Sequence, residues 1–289
     1  MKFLIVNADD LGLCEGVTTG IIEAHRQGVV TSASLMPTGR GFQSAVEQAR
    51  ALGTLDLGVH LTLVGERPRL PPLRIPSLVD ADGRFPRGYG KFLRLFLGGR
   101  IRLSEIEREF RAQVETCLLA GVKPSHLDTH QHLHVLPGIG RIVRRIARCY
   151  AIPGIRIPRE TARGWHAKSL GRWVQCAVLF GLAAAAAARA RSQKFRICDD
   201  VLGVAVSGRL GEEVLLELLG YVGEGVTELI CHPGRADSQV RSEYGWWGYE
   251  WEREREALVS SRVRDRLAAL GVSLTTYSQW TGAATTPSQ

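Results

Sequence analysis

Short apolar runs alternate with helical stretches along the first quarter of the chain. The predicted elements are, in order, a strand at 2–7, a helix from Glu15 to near Gly28, a strand at 29–36, a helix at 41–52 and a strand at 55–63. This alternation predicts parallel strands that are joined by crossover helices. The length of 289 residues fits one α/β domain over 1–289, a distorted (βα) barrel of the TIM type.

The second half continues the pattern with longer spacings. The predicted elements are a helix opened by a capping box of Ser104 with Glu107 and closed by Gly121, a strand at 125–128, a helix at 136–150, and strands at 155–158, 227–232 and 272–277, with a charged helix at 249–270 before the last strand. Residues 64–102 are rich in Pro, Gly and Arg, so they predict a long loop over the barrel mouth.

Residues 173–188 form a continuously apolar helix apart from Gln175. The run falls short of the ~20 residues that a bilayer span needs. Basic residues flank it, so it could lie in a membrane interface. Packing against the barrel is the favoured interpretation, because burial also produces a helix that is apolar all round.

Charge and cysteine usage narrow the class of protein. Thirty-seven Lys and Arg against 29 Asp and Glu give a net charge of +8, which favours anionic surfaces. The basic residues are scattered and carry no stacking aromatic set, so we expect no nucleic-acid binding. The six cysteines form no CxxC pair, and the first residues are too short for a secretory segment. We expect a soluble cytoplasmic enzyme, and a homodimer is left open.

The polar residues that stand out fall at the carboxyl ends of predicted strands. They are Asp9 and Asp10, His60, the segment His126 to His134, Arg156 and His232. In a βα barrel these ends converge on one face, where such enzymes build their sites.

Adjacent Asp9 and Asp10 could be turn acids that cap the next helix. That interpretation explains one carboxylate better than two, since like charges this close raise each other's pKa unless a cation or a distinct role separates them. We therefore favour a functional role for the pair. Asp199 and Asp200 form a second acid pair without a nearby histidine, and we expect a strand entry or a cap there.

His60 alone would more often be a buried core residue than a ligand. The segment HLDTHQHLH changes that balance, because an extended backbone would point His126, Asp128, His130, His132 and His134 to one side. A catalytic metal takes about three protein ligands and leaves a position for water, so the segment predicts a metal or acid/base site without showing which residue ligates. His232 in CHPG is either a turn residue or, as we favour, a general acid or base.

These residues resemble the YdjC-like carbohydrate deacetylases, which include chitooligosaccharide deacetylases. The matching segments are LIVNADDLG at 4–12, GVHLT at 58–62, KPSHLDTHQHLHVLP at 123–137 and CHPG at 231–234. The resemblance implies a distorted barrel akin to polysaccharide deacetylases, with one divalent metal ion, zinc or magnesium. Leu11 stands where the family usually has Phe, a change in packing.

The resemblance also assigns roles. Asp10, His60 and His130 match the metal ligands, Asp9 matches the catalytic base, and His232 matches the acid. Four further residues are expected to contact substrate or to support the ligands, namely His126, Asp128, His132 and Arg156.

The implied reaction is hydrolysis of the acetamide of an N-acetylglucosamine-type sugar. The chain looks most like the branch associated with hopanoid biosynthesis, whose implied substrate is N-acetylglucosaminyl hopanoid. A lipid-linked amino sugar would suit the basic charge and a helix in peripheral contact with the inner face of the membrane. The alternatives are deacetylation of soluble chitooligosaccharides, hydrolysis of another bond such as a phosphoester, and a non-catalytic barrel that binds sugar or lipid.

Overall fold

Eight parallel strands form the centre of the molecule, and the computed structural model describes residues 1–160 and 170–282. The strands are β1 (Lys2–Leu11), β2 (Ser32–Leu35), β3 (Asp56–Leu61), β4 (His126–Thr129), β5 (Gly154–Ile155), β6 (Asp200–Leu202), β7 (Gly225–Cys231) and β8 (Val272–Leu274). Their order is β5-β4-β3-β2-β1-β7-β6, and β8 pairs with the first residues of β1. The predicted α/β fold with a distorted, TIM-like barrel is confirmed.

Helices cover the outside of the sheet. They are α1 (Glu15–Gln27), α2 (Phe42–Leu52), α3 (Tyr89–Leu97), α4 (Leu103–Leu119), α5 (Pro137–Cys149), α6 (Leu170–Ser192), α7 (Glu212–Leu219), α8 (Ser238–Tyr244), α9 (Trp251–Val259), α10 (Ser261–Ala269) and α11 (Tyr277–Thr281). Apolar residues of β1, β2 and β3 are buried against α1, α2 and α4 in one continuous core. This arrangement follows from the alternation of apolar strands with crossover helices.

Several element boundaries differ from the sequence prediction. The expected capping box at Ser104 is wrong, because α4 begins at Leu103 and Arg102 before it makes no side-chain cap. Tertiary hydrogen bonds at the start of α4 replace the cap. The Ser77 hydroxyl accepts from the Arg102 backbone N–H, and the Ser77 backbone N–H donates to Glu105. A capping box does occur between Thr276 and Gln279 at the start of α11.

The predicted helix at 249–270 is two helices. Ser260 has an extended backbone and its hydroxyl accepts from the Arg262 amide, so it ends α9 and caps α10. The loop at 64–102 contains α3, and its backbone at Arg69 and Leu70 donates to Glu109 of α4. The strand expected at 155–158 is limited to β5, and β6 with α7 was not predicted.

Helix α6 is longer than its apolar run predicted. Residues Trp173–Ser192 are, by length and composition alone, apolar enough to cross a membrane, and 33% of that stretch is buried inside the protein. Its inner side, which includes Cys176 and Phe180, packs on the barrel, whereas Val174 and Val178 are exposed. The helix is therefore long enough for a span, and the expectation that it falls short of that length is wrong. The expected packing on the barrel is found for one face of the helix only.

Candidate active site

The carboxyl ends of β1, β3, β4 and β7 bring the predicted polar residues to one edge of the sheet. His60 pairs in register with Asp128 of the neighbouring strand, and Ala8 pairs with Cys231, so His232 follows directly beside Asp9. Residues that are distant in sequence thereby lie on the same face.

An irregularity at the end of β1 places both adjacent acids in the site. The pairing with β2 shifts its register between Ala8 and Leu11, and Asp10 has a left-handed backbone with a φ of 66°. Successive residues of a regular strand point to opposite faces, and the shifted backbone removes that restriction here. Asp9 forms an ion pair with Arg156. Asp10 lies within ion-pair distance of His60 and His130, so each negative charge has its own partners.

Asp10, His60 and His130 form a compact buried group. Oδ1 of Asp10 lies 3.0 Å from Nδ1 of His130 and 3.4 Å from Nε2 of His60, and the two histidine nitrogens are 3.3 Å apart. One ligand atom from each residue lies within 4.8 Å of the other two. Oδ2 of Asp10 is buried and has no hydrogen-bond partner among the described residues. The free oxygen and the converging nitrogens fit a cation.

The protonation chemistry of the group supports that fit. Nδ1 of His60 lies 2.8 Å from Oδ1 of Asp128, an arrangement that directs Nε2 toward Asp10. Burial opposes a charge on His60, but the carboxylates of Asp128 and Asp9 raise its pKa well above the usual value. Burial likewise opposes a charge on Asp10, and His130 and His60 hold its pKa well below the usual value. The group therefore attracts positive charge, and one Asp with two His is a donor set that suits zinc.

Arg156 links three buried carboxylates behind this group. Its guanidinium donates to both oxygens of Asp9 at 2.7 Å, and to Glu228 at 2.8 Å, and it also forms an ion pair with Asp128. The Tyr277 hydroxyl donates to Glu228, whose pKa is raised by burial. With Asp10, which lies against His60 and His130, the site holds four buried acids and one arginine, and a divalent cation would reduce that excess of negative charge.

His126 lies in the layer beneath this candidate metal-binding group. Ser34 joins it to Asp128, since the Ser34 hydroxyl donates to Oδ2 of Asp128 at 2.9 Å and lies 3.1 Å from Nε2 of His126. The His126 ring stacks on Tyr277 at 3.9 Å, and a side chain at Gly58 would collide with it. Burial lowers the pKa of His126 to about 4, so it is neutral at pH 7.

The alternating histidines do not continue along one strand, so the extended backbone expected up to His134 is wrong. β4 ends at Thr129, and the chain then makes a 3₁₀ turn in which Gln131 and His132 have left-handed φ angles of 56° and 55°. The turn connects β4 to α5, which begins at Pro137. His134 pairs with the Thr129 hydroxyl at 2.7 Å, and Nδ1 of His132 is buried with no partner among the described residues.

His232 directly follows β7 and is buried. Its Nε2 lies 3.4 Å from the Ser207 hydroxyl, and its Nδ1 lies 3.9 Å from Oε2 of Glu254, which also accepts from the His232 backbone. Burial raises the pKa of Glu254. Because its carboxylate accepts from the His232 backbone N–H, Glu254 holds the position of His232. In the second acid pair, Asp200 begins β6, as the expected strand entry requires.

An aromatic cluster lies beside His130 and His232. It is made of Tyr244, Trp247, Tyr249 and Trp251. The Trp247 ring is 5.1 Å from the His130 ring, and the Tyr249 ring is 4.9 Å from the His232 ring. The Tyr244 hydroxyl donates to buried Glu66 at 3.1 Å.

Sequence reasoning missed this aromatic cluster, although YGWWGYEW at 244–251 holds five aromatic residues in eight. It also missed Glu228, whose signal was a single acid inside the apolar strand TELIC. The roles of Ser34 and Glu254 could not be predicted, because nothing in the sequence around them indicates a site.

The fold and the buried Asp–His–His group define a class of βα-barrel proteins with a candidate mononuclear metal centre. A model of the YdjC-like protein family matches residues 3–269. The chain belongs to this family.

Relatives and a solved structure agree with that assignment. The chitooligosaccharide deacetylase of Yersinia pestis (strain Pestoides F) is 31% identical over 284 residues, which cover 96% of this chain and 98% of that protein. The carbohydrate deacetylase of Brevibacillus brevis is 45% identical over 155 residues, which cover 54% of this chain and 59% of that protein. The structure of a candidate cellobiose-phosphate cleavage protein from Enterococcus faecalis V583 is similar, with a TM-score of 0.77, 32% identity, and coverage of 96% of this chain and 98% of that one.

Proposed function

We propose that the protein is a metal-dependent carbohydrate deacetylase that hydrolyses the acetamide of an N-acetylglucosamine-type sugar. The observation that carries this proposal is the buried group of Asp10, His60 and His130 beside the Asp9–Arg156 pair. The deacetylase names of the family relatives support the reaction type.

Asp10, His60 and His130 would hold the ion. A bound zinc or magnesium ion supplies a Lewis acid that polarises the acetamide carbonyl and makes water more acidic. Asp128 orients His60, and Arg156 fixes the carboxylate of Asp9 from behind. Both supporting residues are fully buried, as is His126, so we assign them to positioning of the ligands rather than to substrate contact. We assign His132 the same supporting role in the turn after His130.

Asp9 would act as the base. Its Oδ1 accepts from Asn7 and Arg156, whereas its Oδ2 accepts from Arg156 alone among the described residues. One lone pair of Oδ2 is thus available to take a proton from the water that attacks the carbonyl carbon. His232 would donate a proton to the amine nitrogen as the carbon–nitrogen bond breaks, which releases acetate and the free amino sugar.

We propose N-acetylglucosaminyl hopanoid as the substrate. The exposed apolar side chains of α6, including Trp173, Val174 and Val178, support a lipid-linked sugar and peripheral contact with the inner face of the membrane from the cytoplasm. Soluble chitooligosaccharides are the second candidate, which the name of the Yersinia relative supports. In either case the aromatic cluster beside His130 offers apolar ring faces for a sugar. A homodimer stays a prediction.

The test measures acetate release by metal-loaded protein from N-acetylglucosaminyl hopanoid and, in parallel, from diacetylchitobiose, with Asp10→Ala as the control. Turnover of the lipid-linked sugar alone is the expected result. Turnover of diacetylchitobiose alone would keep the deacetylase function and overturn the hopanoid substrate. With metal bound, inactivity on both substrates would contradict the proposal and favour a non-catalytic barrel or hydrolysis of another bond.

A further inference from the structure

Four arginines form a row on one face of α5, away from the candidate active site. Arg141, Arg144, Arg145 and Arg148 follow the three- and four-residue spacing that aligns side chains on a helix. With Cys149 and with Gln193, which follows α6, they line a surface pocket of about 240 Å³. None of the residues that hold or surround the candidate metal ligands lines this pocket.

Arg144 is the unusual member of the row. Its side chain is only 8% exposed, its Nε is buried without a hydrogen-bond partner, and it forms no ion pair with any carboxylate of the described residues. Gly140 lies next to this guanidinium, since a Cβ there would lie 3.3 Å from Nη1 of Arg144, although the close contact that requires glycine is to the His134 carbonyl oxygen at 2.4 Å. A charge that is largely buried without a counter-ion is costly, and an anion bound in the pocket would offset that cost.

The surroundings of Arg144 increase the positive charge. Burial and the nearby Arg189 of α6 lower the pKa of Arg144, which shows that a second cation faces it from the neighbouring helix. Arg148 and Gln193 also line an adjoining groove of about 360 Å³ that contains Lys194 and Arg196. Among the described residues, one carboxylate lies within ion-pair distance of the four arginines of the row. It is that of Glu107, whose Oε2 is 2.8 Å from Nη1 of Arg145.

We infer that the α5 arginine pocket is a binding site for a phosphate group. Several guanidinium groups converging on a small pocket match the geometry and charge of a tetrahedral phosphate, which arginine binds through paired N–H donors. The phosphate could belong to a soluble phosphate ester or to a lipid headgroup, and both present the same oxyanion. The site does not depend on the deacetylase function.

The first experiment follows thermal unfolding of the full chain in increasing inorganic phosphate, against sodium chloride at matched ionic strength. A ligand that binds only the folded state raises Tm in a saturable way. We expect such a rise for the wild type, and its loss in Arg144→Gln. Because Arg144 is buried and that variant could fail to fold, the exposed pair Arg141→Gln/Arg148→Gln serves as a second test. Equal shifts with phosphate and chloride reflect screening alone and count against a soluble phosphate.

The second experiment measures cosedimentation with vesicles of phosphatidylglycerol and of phosphatidylcholine. Binding to phosphatidylglycerol that falls at least tenfold in Arg141→Gln/Arg148→Gln would assign the pocket to lipid headgroups. A saturable phosphate shift without vesicle binding would assign it to soluble phosphates. The matched control is Arg26→Gln/Arg100→Gln, which removes two exposed arginines elsewhere and should change neither result. If free phosphate gives no specific shift and the α5 variants bind vesicles like this control, the inference is overturned.

Discussion

The side chain of His60 is oriented by Asp128, since Nδ1 of the imidazole lies 2.8 Å from Oδ1 of the carboxylate. The two residues are also partners in the register of β3 and β4, so the sheet itself sets their separation. Oδ2 of Asp128 is held by Ser34 and by Arg156. The carboxylate is therefore rigid, and the second nitrogen of His60 is directed at Asp10.

Replacement of Asp128 by Asn should weaken metal binding. Asn keeps the shape of the side chain but loses the negative charge that makes His60 a stronger donor, and such partners typically change affinity by about 10–100-fold. Titration of the metal-free protein with zinc, followed by calorimetry, would measure the change. Asp80→Asn, in the exposed loop before α3, is the control and should bind zinc like the wild type. An unchanged affinity in Asp128→Asn would show that the carboxylate does not support the ligand.

Asp9→Asn should separate metal binding from catalysis. Through its one carbonyl oxygen Asn can still accept from one of the two Arg156 nitrogens that bind Asp9, but it cannot take a proton, and a general base contributes roughly 10²–10⁴-fold to the rate. We expect metal content close to that of the wild type with kcat reduced by that factor. Asp10→Ala should lose metal and activity together. Near-normal turnover in Asp9→Asn would remove Asp9 from the role of base.

The barrel and the convergence of the polar residues could be predicted because those depend on regular features, whereas the choice of Asp10, His60 and His130 as ligands came from the family resemblance and stays a prediction. A parallel sheet brings strand ends together whatever the loops do, and this places Asp10, His60 and His130 on one face. The roles of neighbouring histidines could not be predicted, because the strand gives way at Thr129 to a turn with two left-handed residues. A local pattern such as HLDTHQHLH fixes side-chain directions only while the backbone stays extended.

The residues that surround the candidate ligands could not be predicted from a local pattern either. Arg156 contacts Asp9 and Glu228, which are 147 and 72 residues away in sequence. Only the folded sheet shows which acid faces which cation. The same holds for the arginine row of α5, where spacing predicts a shared face but not that Arg144 is buried without a partner.

Arg156→Met should destabilise the protein strongly. The change leaves Asp9, Asp128 and Glu228 buried without their shared cation, and breaking a buried ion pair in this way typically costs about 3–5 kcal/mol. Urea unfolding of the metal-free protein would measure the loss in the free energy of unfolding. Arg26→Met removes an exposed arginine of α1 and should change the free energy little. Equal stability of the two variants would mean that the buried acids are neutral without Arg156.

His126 should make the protein less stable in mild acid. Burial lowers its pKa to about 4 in the folded state, whereas an unfolded histidine has a pKa near 6.5. Between these values the unfolded chain binds the extra proton, so the stability that depends on neutral His126 is complete above about pH 6.5 and is lost as the pH falls toward about 4. The slope for one proton is at most about 1.4 kcal/mol per pH unit, and the whole effect is about 3 kcal/mol.

Urea unfolding of the wild type and of His126→Gln between pH 4 and pH 8 would isolate this contribution. Buried His134, whose pKa is also lowered to about 4, stays in the variant and keeps part of the acid sensitivity. We therefore expect the variant to be less stable than the wild type at pH 8, because it loses the stacking on Tyr277, and the two stabilities to converge as the pH falls. Two pH profiles that run parallel over the whole range would show that His126 does not titrate between the folded and unfolded states.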